Sequence, residues 1–150
     1  MPAIAAAGAG FLVAVLWFDL MFDVQIRGQS GDALPPEVLS SISAYYRRVT
    51  TQARPMGRLI SVVMLATVAA IIAGIAQAKA PPWLEWPSLA LALSAIGLAT
   101  ARTVRNAVRL GAATDPPQVQ TQLARTIYQD HLYCLAAMTV VLGLQLSATV

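Results

Sequence analysis

Asp19 and Asp23 stand four residues apart in the stretch LWFDLMFDVQIRG, residues 16–28, at the end of an otherwise apolar run. Side chains at i and i+4 share a helix face, so two carboxylates project together from one apolar rod. In such surroundings a carboxylate holds a proton, meets a cation or accepts bonds from a neighbouring helix. Groups able to meet the pair recur beside the other apolar runs. Arg54 and Arg58 precede the second run, Arg102 and Arg105 follow the third, and Asp130 and His131 precede the fourth. Arg102, Arg105 and Arg109 fall on one face at i, i+3 and i+7. These spacings predict a polar layer of Asp19, Asp23, Arg54, Arg58, Arg102, Arg105, Asp130 and His131, in which the aspartates meet arginines across a helical bundle.

His131 lies beside Asp130 and near Tyr128. With an ordinary pKa near 6.5 it is a candidate proton shuttle, or one metal ligand alongside Asp19 and Asp23. Zinc sites use three or four protein ligands at recognisable spacing, which this chain lacks. The single histidine also excludes a bis-histidine haem. Interfacial hydrogen bonding is therefore the role expected of His131, with no metal and no cofactor. Cys134 is the one cysteine, so no intramolecular disulfide forms, and it is expected to pack as a small apolar residue. Nucleophile motifs, phosphate-cradling glycine loops and dinucleotide fingerprints are absent.

The elements that must position this layer follow from composition. Hydrophobic residues make up 57% of the chain and charged residues 11%, against roughly 25% charged in an ordinary soluble domain. Four apolar segments, near 3–22, 59–78, 83–101 and 132–150, each approach the length of about 20 residues that a membrane-crossing helix needs. Backbone amides in lipid must bond within their own segment. The expectation is an all-α, polytopic, up-down bundle of four transmembrane helices in a single domain. No Lys or Arg precedes Arg27 and the first run exceeds a signal-peptide core, so that run is expected to be a retained span.

Charge sets the expected orientation. Nine arginines lie in or beside the segments joining spans one and two and spans three and four, whereas Lys79 alone lies between spans two and three. The positive-inside rule places both longer loops in the cytoplasm and both termini outside, and the bacterial inner membrane is the expected location. Trp17, Trp83 and Trp86 suit an interfacial aromatic belt. The arginines are accounted for by topology, so no nucleic-acid partner is expected.

Two loop segments carry helical patterns. In LPPEVLSSISAYYRRVTTQARP, Val38, Ile42, Tyr45 or Tyr46, and Val49 recur at helical spacing. A proline pair starts the pattern and Pro55 ends it, predicting an amphipathic helix of about 17 residues on the inner membrane surface. Arg47 and Arg48 would then reach lipid headgroups. The second segment, TDPPQVQTQLARTIYQDHLY, places Val119, Leu123 and Ile127 in an exposed stripe and runs without a breaker into span four. One long helix from Pro117, projecting into the cytoplasm, is the expectation. The proline pairs at 35–36 and 116–117 suggest a parallel repeat of two halves.

Helices in lipid pack through small residues and polar contacts. Ala66, Ala70, Gly74 and Ala78 line one face of span two, and Thr139, Gly143 and Ser147 line one face of span four. Both faces are expected to seat neighbouring helices, and Gln145 needs a partner away from lipid. With the lipid bilayer as its medium, the chain reads first as a structural or accessory subunit, docking through its cytoplasmic helices onto a larger membrane complex or a second copy. Two other readings are a small proton- or ion-coupled transporter using Asp19, Asp23 and facing arginines, and a membrane-embedded enzyme using Asp19, His131 or Tyr128 on a lipid-soluble substrate.

Overall fold

The computed structural model describes residues 1–78 and 80–149, and only the backbone of Arg54. Lys79, on which the charge count draws, and Val150, the end of the fourth expected span, lie outside the described residues. The chain forms α1 (Pro2–Asp23), a 3-10 turn (Val24–Ile26), α2 (Pro36–Arg47), a π turn (Arg48–Gln52) and α3 (Arg54–Gln77). It continues as α4 (Pro82–Leu98), a second π turn (Ala99–Thr103), α5 (Val104–Ala112) and α6 (Pro117–Ser147), with no strand among the described residues. Proline sits in the first turn of α1, α2, α3, α4 and α6, where its missing N–H costs no helical bond. Ala78 and Ala113 close α3 and α5 in the left-handed region, with φ of 49° and 53°.

Four helical stretches are long and apolar enough to cross a membrane: Pro2–Ile26, Pro55–Gln77, Pro82–Ala112 and Pro117–Ser147. The third outruns its expected end near residue 101, because the π turn carries the rod on into α5 instead of breaking it. α6 lies against both α1 and α4: Gly10 approaches Leu142 while Asp23 approaches His131, and Ala95 meets Cys134. α3 packs against α1 and α4.

The core joining these four helices is built from Ala5, Ala9, Leu12, Ala70, Ile71, Ala92, Ala95, Cys134, Ala137, Met138 and Val141. Alanine on every helix lets backbones approach closely. Gly8 is seated so tightly on Thr67 that a β-carbon there would collide with the threonine hydroxyl. Ala70 and Gly74 are buried as expected, but Ala66 is exposed, and so are Thr139, Gly143 and Ser147. The buried face of α6 instead carries Cys134, Met138, Val141 and Gln145, on nearly the opposite side of the helix at about 100° per residue. Thr139 and Ser147 need no helical neighbour, because their hydroxyls donate to their own helix at Leu135 O (2.8 Å) and Gly143 O (2.9 Å).

A second core closes one end of the bundle. Leu39, Ile42 and Tyr46 of α2 pack on Ala107 and Leu110 of α5 and on Leu123, Ala124 and Ile127 of α6, with Ile26 and Leu34 completing the cluster. Each such Leu or Ile contributes about 1.5–3 kcal/mol when fully buried. Two expectations change here. The apolar face of α2 is spent on protein and not on a membrane surface, and Arg47 donates through Nε to Gly111 O at 3.1 Å. The stripe of α6 is covered as well, with Leu123 and Ile127 buried and Val119 half-buried. Close approach requires Gly111: a β-carbon there would stand 2.7 Å from the Arg47 amide nitrogen. The two halves differ in layout, since Pro36 starts a 12-residue helix and Pro117 an unbroken one of 31 residues.

Candidate ligand pocket and its polar wall

Asp19 and Asp23 are both met by hydroxyls from α2. Tyr45 Oη donates to Asp19 Oδ1 at 2.5 Å, and Tyr46 Oη donates to Asp23 Oδ1 at 2.6 Å. The adjacent tyrosines reach carboxylates one helical turn apart because α2 crosses the end of α1. Phe22 stacks on the Tyr45 ring at 3.9 Å between centroids and fixes its plane. Burial pushes both phenols well above the usual tyrosine range, and the facing carboxylates push them further. Both therefore remain donors at neutral pH.

His131 completes the arrangement from α6. Its Nδ1 lies 2.7 Å from Asp23 Oδ2, and its Nε2 lies 4.0 Å from Asp19 Oδ2. Asp23 thus fixes ring orientation and favours the tautomer with the proton on Nδ1. The separation at Nε2 exceeds hydrogen-bond range, so the imidazole and the Asp19 carboxylate face each other across the cavity wall without a direct bond.

The expected layer splits into two. Asp19, Asp23 and His131 come together, with the two tyrosines in the place expected of arginines. Asp130 faces the other way, taking Arg102 through both guanidinium and Nε contacts and the Thr103 hydroxyl at 2.9 Å. The π turn at Ala99–Thr103 inserts the extra residue that aims Thr103 at Asp130. Arg58 and Arg105 are exposed, and the side chain of Arg54 lies outside the described residues. Arg109 pairs with Asp115 at 2.7 Å, which holds that carboxyl below the usual range. Cys134 is buried and donates weakly to Ala95 O. Among the described residues, no three His, Cys, Asp or Glu side chains converge on a metal position.

Asp19, Tyr45, Tyr46 and His131 form the polar wall of a cavity of about 410 Å³. Apart from Thr50 and Thr103 its remaining lining is apolar, with Leu16, Ile60, Met64, Ile96 and Met138 among its side chains. Both π turns border it, through Val49 and Thr50 on one side and Ala99 and Thr103 on the other. Exposed Phe18, Met56 and Val104 stand at its rim, so it opens sideways between helices. An apolar pocket with a few converging polar groups is the general form of a small-molecule site. The carboxylate and imidazole can each accept or donate a proton, and the tyrosines can donate hydrogen bonds.

Sequence reasoning missed Tyr45, Tyr46 and Thr103 as members of this site. The tyrosines scored only as parts of an apolar stripe, although an adjacent pair on an amphipathic helix signals two phenols needing acceptors. No family model, no curated protein and no solved structure matches the chain.

Proposed function

We propose that this chain is a small integral membrane protein that binds a lipid-soluble molecule in the cavity between its helices, with the ligand's polar group against Asp19, Tyr45 and His131. The observation that carries this reading is the meeting of an apolar cavity of about 410 Å³ with that hydrogen-bonding wall. A bilayer-dissolved ligand enters past Phe18, Met56 and Val104 without crossing water. In the proposed setting the helices cross a bacterial inner membrane up and down. The α2 end faces the cytoplasm, where nine arginines gather, and exposed Trp17, Trp83 and Trp86 lie at the interfaces. Acid–base chemistry on the ligand would use His131, oriented by Asp23, with Asp19 opposite.

The reading is tested with a solvatochromic fluorescent lipophile titrated into the protein in nanodiscs. Asp19→Asn and Tyr45→Phe weaken binding while the bundle still assembles. Equal binding by both variants and the parent protein would overturn the proposal.

A second reading, assembly with another copy or with a larger complex, rests on the exposed small-residue face of Thr139, Gly143 and Ser147. The apolar stripe of α6 lends it no support, because α2 covers it.

A further inference from the structure

At the opposite end of the bundle, Glu85 and Gln145 are buried together, 1% and 0% exposed. Glu85 lies in the first turns of α4, and Gln145 near the end of α6 donates through Nε2 to Ser88 Oγ at 3.0 Å and to Glu85 Oε2 at 3.3 Å. The Ser88 hydroxyl proton is already committed to Leu84 O at 2.7 Å. Every proton of the cluster's hydroxyl and shared amide edge is therefore spent, yet Glu85 Oε1 and Gln145 Oε1 have no donor among the described residues. The site holds more acceptors than donors, around a carboxylate whose only described hydrogen bond is one long amide contact.

Gly74 of α3 makes the seat. A β-carbon there would meet Glu85 Oε1 at 2.5 Å and the carboxyl carbon at 3.1 Å, so any larger residue would displace the carboxylate from its seat. Hard cations bind through oxygen ligands, and a single positive charge neutralises one carboxylate where a second would go uncompensated. We infer that Glu85, Gln145 and Ser88, seated on Gly74, form a binding site for a small monovalent cation. The cluster lies one turn below the proline pair at 81–82, so the ion enters from that end of the bundle. This site is separate from the ligand pocket, which none of the four residues lines.

The test uses the purified full chain in nanodiscs, with sodium as the probe and choline replacing it at constant ionic strength. The unfolding midpoint shifts upward and saturates with sodium, and the sodium-23 resonance broadens in the protein's presence. Glu85→Gln, which keeps shape and removes charge, folds and loses both responses. Gly74→Ala, which displaces the carboxylate, loses the sodium shift. Equal midpoints in sodium and choline with no broadening would overturn the inference, because a buried water would then be the partner. A sodium response surviving in Glu85→Gln would overturn it too.

Discussion

His131 Nδ1 lies 2.7 Å from Asp23 Oδ2, while the other oxygen of that carboxylate accepts the Tyr46 hydroxyl at 2.6 Å. One fully buried carboxylate thereby ties three helices, α1, α2 and α6, at a single point. It also leaves the second imidazole nitrogen turned toward Asp19, and both His131 and Asp19 line the cavity. Structural tie and ligand wall are thus two sides of one cluster.

Tyr46→Phe removes a donor from this buried carboxylate and is expected to lower stability by about 1–3 kcal/mol. Denaturant unfolding of the variant in mixed micelles measures it. In a double-mutant cycle with Asp23→Asn, the losses are strongly non-additive, because both changes act on the same bond.

The raised phenol pKa values of Tyr45 and Tyr46 give a definite alkaline dependence. In the unfolded chain these groups ionise near the ordinary value of 10.0, whereas in the fold they stay protonated. Their contribution is complete below that value and is lost as pH rises above it. Unfolding midpoints recorded across this range should fall for the parent protein and flatten in the Tyr45→Phe/Tyr46→Phe variant. A slope unchanged by both substitutions would show that the tyrosines do not donate to the aspartates.

Glycines separate tight seats from open ones. Gly111→Ala forces a β-carbon against the α2 backbone, which cannot swing aside as a side chain can, and is expected to cost about 1–3 kcal/mol. Gly143→Ala meets nothing within 4 Å and should be neutral or stabilising by about 0.4–1 kcal/mol. Paired thermal melts read both. If Gly143→Ala instead changes the oligomeric state in light scattering, the exposed face of α6 is an assembly surface.

Much of the architecture was legible because composition and length constrain apolar helices strongly. The four long helices, the proline-started α2 and the unbroken α6 all follow from periodicity and from proline's missing N–H. The partners of Asp19 and Asp23 were not legible. Arginines at matching depth looked like the natural counterions, yet depth fixes only height along the bundle. Helix rotation and the path of α2 decide which side chains meet, and α2 brought tyrosines. The two π turns were hidden for a related reason: nothing in ATART or RVTTQ announces the one-residue insertion that redirects Thr103. Glu85 falls at the start of the third apolar segment with no partner marked in the sequence, and only the seat at Gly74 shows it buried.

Arg102 and Asp130 do not line the pocket and reach it only through Thr103. Arg102→Ala leaves Asp130 buried with the Thr103 hydroxyl as its remaining partner. Stability should fall, and Asp130→Asn in the same background should restore part of it by removing the uncompensated charge. Lipophile binding by folded protein should change far less than in Asp19→Asn, since neither residue lines the cavity and only Thr103 links them to it.

The most direct measurement is native mass spectrometry of the protein released from nanodiscs made with its source membrane lipids. Ala99 borders the cavity at the second π turn, and Ala99→Phe fills the space beside it. The account predicts a lipid-soluble mass retained by the parent chain and absent from Ala99→Phe, with unfolding midpoints that match. A parent chain that emerges bare, or an Ala99→Phe variant that keeps the same mass, would contradict it.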